Sequence, residues 1–361
     1  MNKIYISNMK IRILTQPLGL NVGGILQNYA LEKICNNFSN DVKTVNIPVF
    51  ASVFFPVLKY AACIKRLFLK VFVNHKIVVR WWLEKKKIII PQRNSIVCLD
   101  KCKELIKFGN DDYIWIFGSD QIWRNGLTND MKFYFGSFLN DAVPRIAYAA
   151  SFGVDYWQFS NAETKKIIPL LKKFKAISVR EESAVRLLKE RGVNAQLVLD
   201  PTLLLQSDNY TGLETDISRQ FANYKHVFLY CLDKHPLQDE MIVLVNEKKK
   251  MPVMNIMANL QIDSWISGLR TADYVVTDSF HGTVFSILFH KKFIVLANEQ
   301  RGLTRLQSLL KMFGLENRLI MSFEDFDCEK LDAEIDYKSV DVILNQEREK
   351  SLTFLSESLS S

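Results

Sequence analysis

Long apolar runs, paired cysteines and phosphate-loop motifs are all scarce in this sequence, and each absence removes a class of function. The uncharged run Thr44–Leu58 has 15 residues and contains Pro48 and Pro56, too short and too broken to span a bilayer. The six cysteines, Cys35, Cys63, Cys98, Cys102, Cys231 and Cys328, are scattered. Cys98 and Cys102 have three residues between them, and no second pair follows at zinc-binding spacing. They read as reduced thiols of a cytosolic protein, with no metal site expected. The opening MNKIYISNMKIRIL has neither an apolar signal core nor a small-residue cleavage site, so a cytoplasmic location is expected. There is no Walker loop, no G-x-G-x-x-G and no G-x-S-x-G elbow. No internal repeat or low-complexity tract stands out.

What is present describes a globular chain of 361 residues, 48% hydrophobic and 24% charged, long enough for two domains and a sizeable core. The net charge of +8 is unevenly spread. Between Ala51 and Arg93 there are ten basic residues, among them Lys85, Lys86 and Lys87, against Glu84 alone, so this stretch carries +9 and the remainder −1. Phe54, Phe55, Leu67, Phe68, Leu69, Phe72, Trp81 and Trp82 are interleaved with the bases. That combination describes an interfacial helix on an anionic membrane, each surface base contributing roughly 1 kcal/mol. It equally describes a solvated insertion packed on its own domain. Nucleic acid answers to the same charge but is not expected as a partner.

Apolar, β-rich runs alternate with helical patterns. Strands are predicted at 12–14, 113–117, 145–149, 176–179, 196–199, 226–231, 274–277 and 293–296, and helices at 25–37, 162–174, 181–191, 237–249, 280–289 and 303–313. A further helical run begins at Val340. The alternation predicts an α/β fold with parallel sheets, whose ligands sit beyond the carboxyl ends of the strands. The polar connector within Leu199–Asp216 divides the chain into two Rossmann-like halves, 1–205 and 206–361, with a basic insertion at about 51–111 and a C-terminal helix placed to fold back on the first half.

Several polar clusters fall at predicted strand ends. In ILTQPLGLNVGGILQNYALEKIC, Gly19, Gly23 and Gly24 allow either close backbone approach to a ligand or simply a tight turn. In IFGSDQIW, Ser119 and Asp120 follow a strand; Asp120 suits a base, a partner for sugar hydroxyls or a helix N-cap. Ser151 ends the strand in RIAYAASFG. Arg180 precedes a helix opened by Glu181 and Glu182. A cation there opposes the helix dipole, which points to a bound carboxylate or phosphate, or to an ion pair with either glutamate. In YVVTDSFHGTVF, Asp278, Ser279 and His281 stand where an α/β sheet places its ligands, with Gly282 for close approach. His281 is the strongest functional candidate; His75, His226, His235 and His290 read as structural. Adjacency of Asp278, Ser279 and His281 argues against a hydrolase triad. Arg301 and Arg305 suit an anion or surface ion pairs.

GSDQIW, YAASFG, SVREESAVRLL, LDPTLLL and ADYVVTDSFHGTVFSILFHKKFIVL occur in this order, flanked by ILQNYAL and RLQSLLKMFGLENRLI. In this the chain, from about Ile11 to Ile320 and apart from the basic insertion, resembles the polysaccharide pyruvyl transferase family. The resemblance implies two domains of GT-B type with the site in the interdomain cleft. It implies transfer of the pyruvyl group of phosphoenolpyruvate to a sugar as a ketal, with no cofactor and no metal. It further implies His281 as general acid, Arg180, Ser279 and Arg305 binding the donor, and Ser119, Asp120 and Ser151 orienting the acceptor from the first half. Some family members carry R-L-H where this chain has Ser279-Phe280-His281, so one donor-binding charge is missing or comes from elsewhere. A lipid-linked oligosaccharide on the cytoplasmic leaflet would suit an interfacial anchor. A GT-B nucleotide-sugar glycosyltransferase and a non-catalytic membrane-associated partner of polysaccharide assembly are the alternatives.

Overall fold

In a computed structural model of the chain, the residues described are 9–19, 21–47, 88, 95–99, 102–108, 112–127, 131–221, 223–233, 236–298, 302–326 and 328–360. The basic stretch Ala51–Arg93 lies outside them except for Ile88, as do His75, His235 and Arg301. No helix among the described residues is long and apolar enough to cross a membrane.

The strands are β1 Lys10–Leu14, β2 Asp41–Asn46, β3 Ile96–Cys98, β4 Tyr113–Phe117, β5 Arg145–Ala150, β6 Ala176–Val179, β7 Gln196–Leu197, β8 Val227–Tyr230, β9 Val253–Asn255, β10 Tyr274–Thr277, β11 Lys292–Leu296 and β12 Leu319–Ile320. The principal helices are α1 Val22–Cys35, α2 Asn161–Leu171, α3 Glu182–Lys189, α4 Pro201–Leu204, α5 Pro236–Lys249, α6 Ile262–Thr271, α7 Phe280–Leu288, α8 Leu303–Met312 and α9 Tyr337–Ser360. They make two parallel sheets. The first has seven strands in the order β3-β2-β1-β4-β5-β6-β7, the second five in the order β12-β11-β10-β8-β9. Continuous apolar strands such as β5 RIAYAA, buried throughout, are what sheets covered on both faces require.

In the first sheet the chain winds outward from β1 to β3, then returns to place β4 on the other side of β1. In the second it passes from β8 to β9, then returns to place β10 beside β8. Each reversal opens a crevice at the carboxyl ends of the two central strands. The loop after β4, carrying Asp120, and the turn from β10 into α7, whose first turn carries His281, therefore occupy the two switch points.

The span 51–111 is not only an insertion. β3 pairs in parallel with β2 at the edge of the first sheet, and Ile88 is buried in the core beside Ile11, Val42 and Ile116. At the other end, α9 returns to the α4 region. Ser351 Oγ accepts from Leu199 N–H at 2.9 Å, and Arg348 Nε donates to the Leu203 carbonyl at 2.8 Å.

Candidate active site

Each loop around the crevice is fixed by its own local chemistry. Asn21 caps α1, its side-chain oxygen accepting from the Gly23 and Gly24 amides at 2.9 and 3.4 Å. After β4, the Ser119 backbone is clamped from both sides: its carbonyl accepts from Thr15 Oγ1 at 3.0 Å, and its amide donates to Gln27 Oε1 at 3.1 Å. Asp120 follows with φ of 77°, a left-handed conformation that costs a non-glycine residue free energy. No helix starts there. The N-cap expectation for Asp120 is thus replaced by an anchoring one: Oδ1 accepts from its neighbour Gln121 N–H at 2.8 Å and from Arg180. Asp200, with Pro201 at the first helical position, caps α4 through Thr202, whose amide and hydroxyl both donate to Oδ1 (3.1 and 2.6 Å).

After β10, Thr277 Oγ1 donates to the Tyr230 carbonyl at 2.6 Å and accepts from Ser279 N–H at 3.0 Å. Ser279 Oγ caps α7 by accepting from Gly282 N–H at 3.4 Å. Gly282 is demanded by packing within this half rather than by a ligand: a Cβ there would stand 2.3 Å from Thr277 Oγ1. Asp278 also faces inward, accepting from the Leu232 and Asp233 amides and from Asn298. It organises the β8 and β10 loops and takes no part in the crevice cluster.

The crevice cluster centres on Asp200, a residue whose strand-end setting in the sequence marks only a turn. Its Oδ2 accepts from Ser119 Oγ at 3.1 Å and from Arg180 Nη1 at 2.5 Å, and lies 3.7 Å from His281 Nε2. Arg180 Nη2 bonds Asp120 Oδ1 at 2.9 Å. The cation that opposes the α3 dipole is therefore ion-paired with Asp120 and Asp200, and Glu181 adds an attraction without a direct pair. Glu182 instead pairs with Lys311 at 2.8 Å across the two halves, and Glu181 Oε1 accepts from the Phe152 and Gly153 amides. The Arg180 and Arg305 guanidiniums both lie over the Phe280 ring, 4.6 and 5.4 Å from its centre, within cation–π reach. Ser151 is buried, and its hydroxyl acts on the Glu181 carboxyl, favouring the carboxylate.

Burial sets the electrostatics, and the partners then decide the sign. Burial raises the carboxyl pKa of both Asp200 and Asp120, but His281, Arg180 and Thr202 hold Asp200 well below the usual range, and Arg180, His281 and Arg305 hold Asp120 below it. For Glu181 burial prevails over Arg180 and Arg305, and its pKa is raised. Burial and the neighbouring Arg180 push Arg305 down to about 9, so it stays charged at neutral pH.

His281 is 5% exposed. A Cβ on Gly23, in the first turn of α1, would stand 2.0 Å from its Nδ1. The glycine read as making room for a ligand makes room for this ring from the opposite half of the molecule. Of the sequence candidates, Ser119, Arg180 and His281 converge on Asp200, Asp120 joins through Arg180, and Arg305 lies with Arg180 over Phe280. Ser279 is turned into its own helix.

Similar architecture occurs in solved UDP-GlcNAc 2-epimerases. The enzyme from Neisseria meningitidis, bound to UDP-GlcNAc, is 8% identical with a TM-score of 0.51, covering 97% of this chain and 99% of that one. The enzyme from Methanocaldococcus jannaschii is 11% identical with a TM-score of 0.50, covering 94% of each. At such identities the likeness is one of fold, two Rossmann-like domains of GT-B type. No curated protein matches the sequence. Residues 21–300 match the family described as polysaccharide pyruvyl transferase, which carries the segments from GSDQIW to TDSFHGTVF and the loops just described; the chain belongs to the polysaccharide pyruvyl transferase family.

Proposed function

We propose that the protein transfers the pyruvyl group of phosphoenolpyruvate to two hydroxyls of a sugar, forming a cyclic ketal and inorganic phosphate. The observation that carries this reading is the placement of one buried histidine beside two buried guanidiniums where the switch points of two parallel sheets meet. An enol phosphate becomes electrophilic at C2 once its methylene carbon is protonated, and His281 is the proton donor. A positioned acid of this kind is typically worth about 10²–10⁴ in rate. The acceptor's first hydroxyl oxygen then bonds to C2 and the C–O bond to phosphate breaks. The second hydroxyl closes the ring at the same carbon. One hydroxyl proton restores the acid and the other leaves with phosphate.

Arg180 and Arg305 hold the donor's carboxylate and phosphate. Arg305 supplies the charge that Ser279 does not. Asp120, Ser119 and Ser151 face the acceptor from the first half. Because His281 is 5% exposed, substrates enter when the halves part, a gating motion common to clefts of this kind. The acceptor is a lipid-linked oligosaccharide, and the basic stretch Ala51–Arg93 holds the enzyme on the anionic inner leaflet. No cofactor or metal takes part in this scheme.

The test is release of inorganic phosphate from phosphoenolpyruvate, with and without galactose- or mannose-containing acceptors, by the wild type and by His281→Ala. Acceptor-dependent release that the variant loses is the expected result. No release with any acceptor, together with no rise in Tm on adding millimolar phosphoenolpyruvate, would reject this donor and turn attention to nucleotide sugars. Deleting the basic stretch should reduce activity only toward lipid-linked acceptors.

A further inference from the structure

Asp200 is fully engaged on one oxygen and shared on the other. Oδ1 is locked by the amide and hydroxyl of Thr202, while Oδ2 accepts from Ser119 and Arg180 and faces His281 Nε2 at 3.7 Å. Nε2 is buried and has no hydrogen-bond partner. An orphaned ring nitrogen aimed at a carboxylate slightly too far away is a geometry that tightens when substrate arrives.

The other groups around the ring are weighted against the imidazolium, one favouring it and three opposing it. Asp120 favours a protonated imidazole, while Arg180 and Arg305 over Phe280 disfavour it. The first turn of α1, pressed on Nδ1 through Gly23, presents the positive end of a helix dipole and disfavours it too. A proton donor in such surroundings needs a carboxylate of its own.

We propose that Asp200 is the positioning residue for His281, orienting the ring through Nε2 and holding it protonated, and that Arg180 and His281 compete for the same Asp200 oxygen. A donor anion that engages Arg180 loosens the Arg180–Asp200 pair and releases Oδ2 to the imidazolium. Donor binding and arming of the acid are thereby coupled. The catalytic part of this inference rests on pyruvyl transfer being the reaction; the pairing itself does not.

The test uses the full-length chain with 15N-labelled histidine. Its five histidines make the His281 ring signals identifiable by their loss in His281→Ala. At neutral pH the wild-type signals are expected at or toward imidazolium values, and in Asp200→Asn they should move toward neutral imidazole. Inorganic phosphate, competing for Arg180, should move the wild-type signals further toward imidazolium. Neutral values in the wild type, or no movement in an Asp200→Asn protein whose other histidine signals are intact, overturns the inference. If Asp200→Asn does not fold, Ser119→Ala serves. It strips one donor from Oδ2 and should drive the ring toward imidazolium, and unchanged signals overturn the inference. In turnover, Asp200→Asn should lower kcat on the order of 10²-fold without raising KM for phosphoenolpyruvate. A raised KM with unchanged kcat counts against it. Absence of phosphate release by the wild type itself rejects the pyruvyl reading and leaves the ring signals to decide on Asp200.

Discussion

Gly23→Ala adds one methyl group at the contact between the two halves, and the consequences can be worked through. The new Cβ would lie 2.0 Å from His281 Nδ1, 2.4 Å from Cγ and 2.9 Å from Cβ. Ordinary contact begins near 3.4 Å, so the ring must withdraw by about 1.4 Å or the halves must part. For stability, two effects oppose each other. Alanine is favoured over glycine inside a helix by about 1 kcal/mol, and overpacking costs about 1–3 kcal/mol. The net loss should be at most about 2 kcal/mol, and the protein should still fold. Activity has no such offset, since a misplacement of about 1 Å in a reacting group can cost on the order of 10²-fold. The neighbouring Gly24→Ala is the control. Its Cβ would meet Asp120 Oδ2 at 3.5 Å, an ordinary contact, so only the helix gain should remain. Phosphate release and thermal melting of both variants decide the matter. A Gly23→Ala enzyme with wild-type kcat, or one no slower than Gly24→Ala, would refute the claim that α1 positions the histidine.

Arg180→Met leaves Asp120 and Asp200 buried without their shared cation and should cost about 3–5 kcal/mol in urea unfolding; a loss below about 1 kcal/mol would mean that the pairs contribute little. Asp120 and Asp200 have depressed folded pKa values. The stability they contribute is therefore present above the unfolded value of about 3.9 and is lost as pH falls toward the folded one, so unfolding free energy should drop steeply below about pH 4. An Asp200→Asn protein with an equally steep drop would contradict this. Glu181 has the opposite sign: its raised folded pKa gives a contribution that is full below the unfolded value of about 4.3 and is lost as pH rises from there through the folded value. Glu181→Gln should accordingly be more stable than the wild type at neutral pH, which equilibrium unfolding measures directly. Asn21→Ala removes the cap of α1 and should cost about 1 kcal/mol, seen as a lower urea midpoint at unchanged slope.

Period and composition are local properties, so the α/β class and most of the central strands are legible in the sequence alone. The spans 113–117, 176–179 and 274–277 coincide with β4, β6 and β10. β2, β3, β9 and β12 were not legible. β3, β9 and β12 have only two or three residues, and β2, with the sequence DVKTVN, reads as polar until its neighbours bury half of it. α6 was missed as well, although Trp265, Ile266 and Leu269 form its buried face.

The same limit governs the site. His281, Arg180 and Asp120 stood out because each polar residue follows an apolar strand. Asp200 did not, because Asp-Pro-Thr is fully explained as a local cap. Its second role depends on Ser119 and Arg180, 81 and 20 residues away. Gly23 likewise signalled close approach without naming what approaches. Local chemistry dictates caps, turns and strand ends. Which oxygen two cations share, and which ring presses on which glycine, is decided only when two sheets bring their switch points together and water is excluded between them.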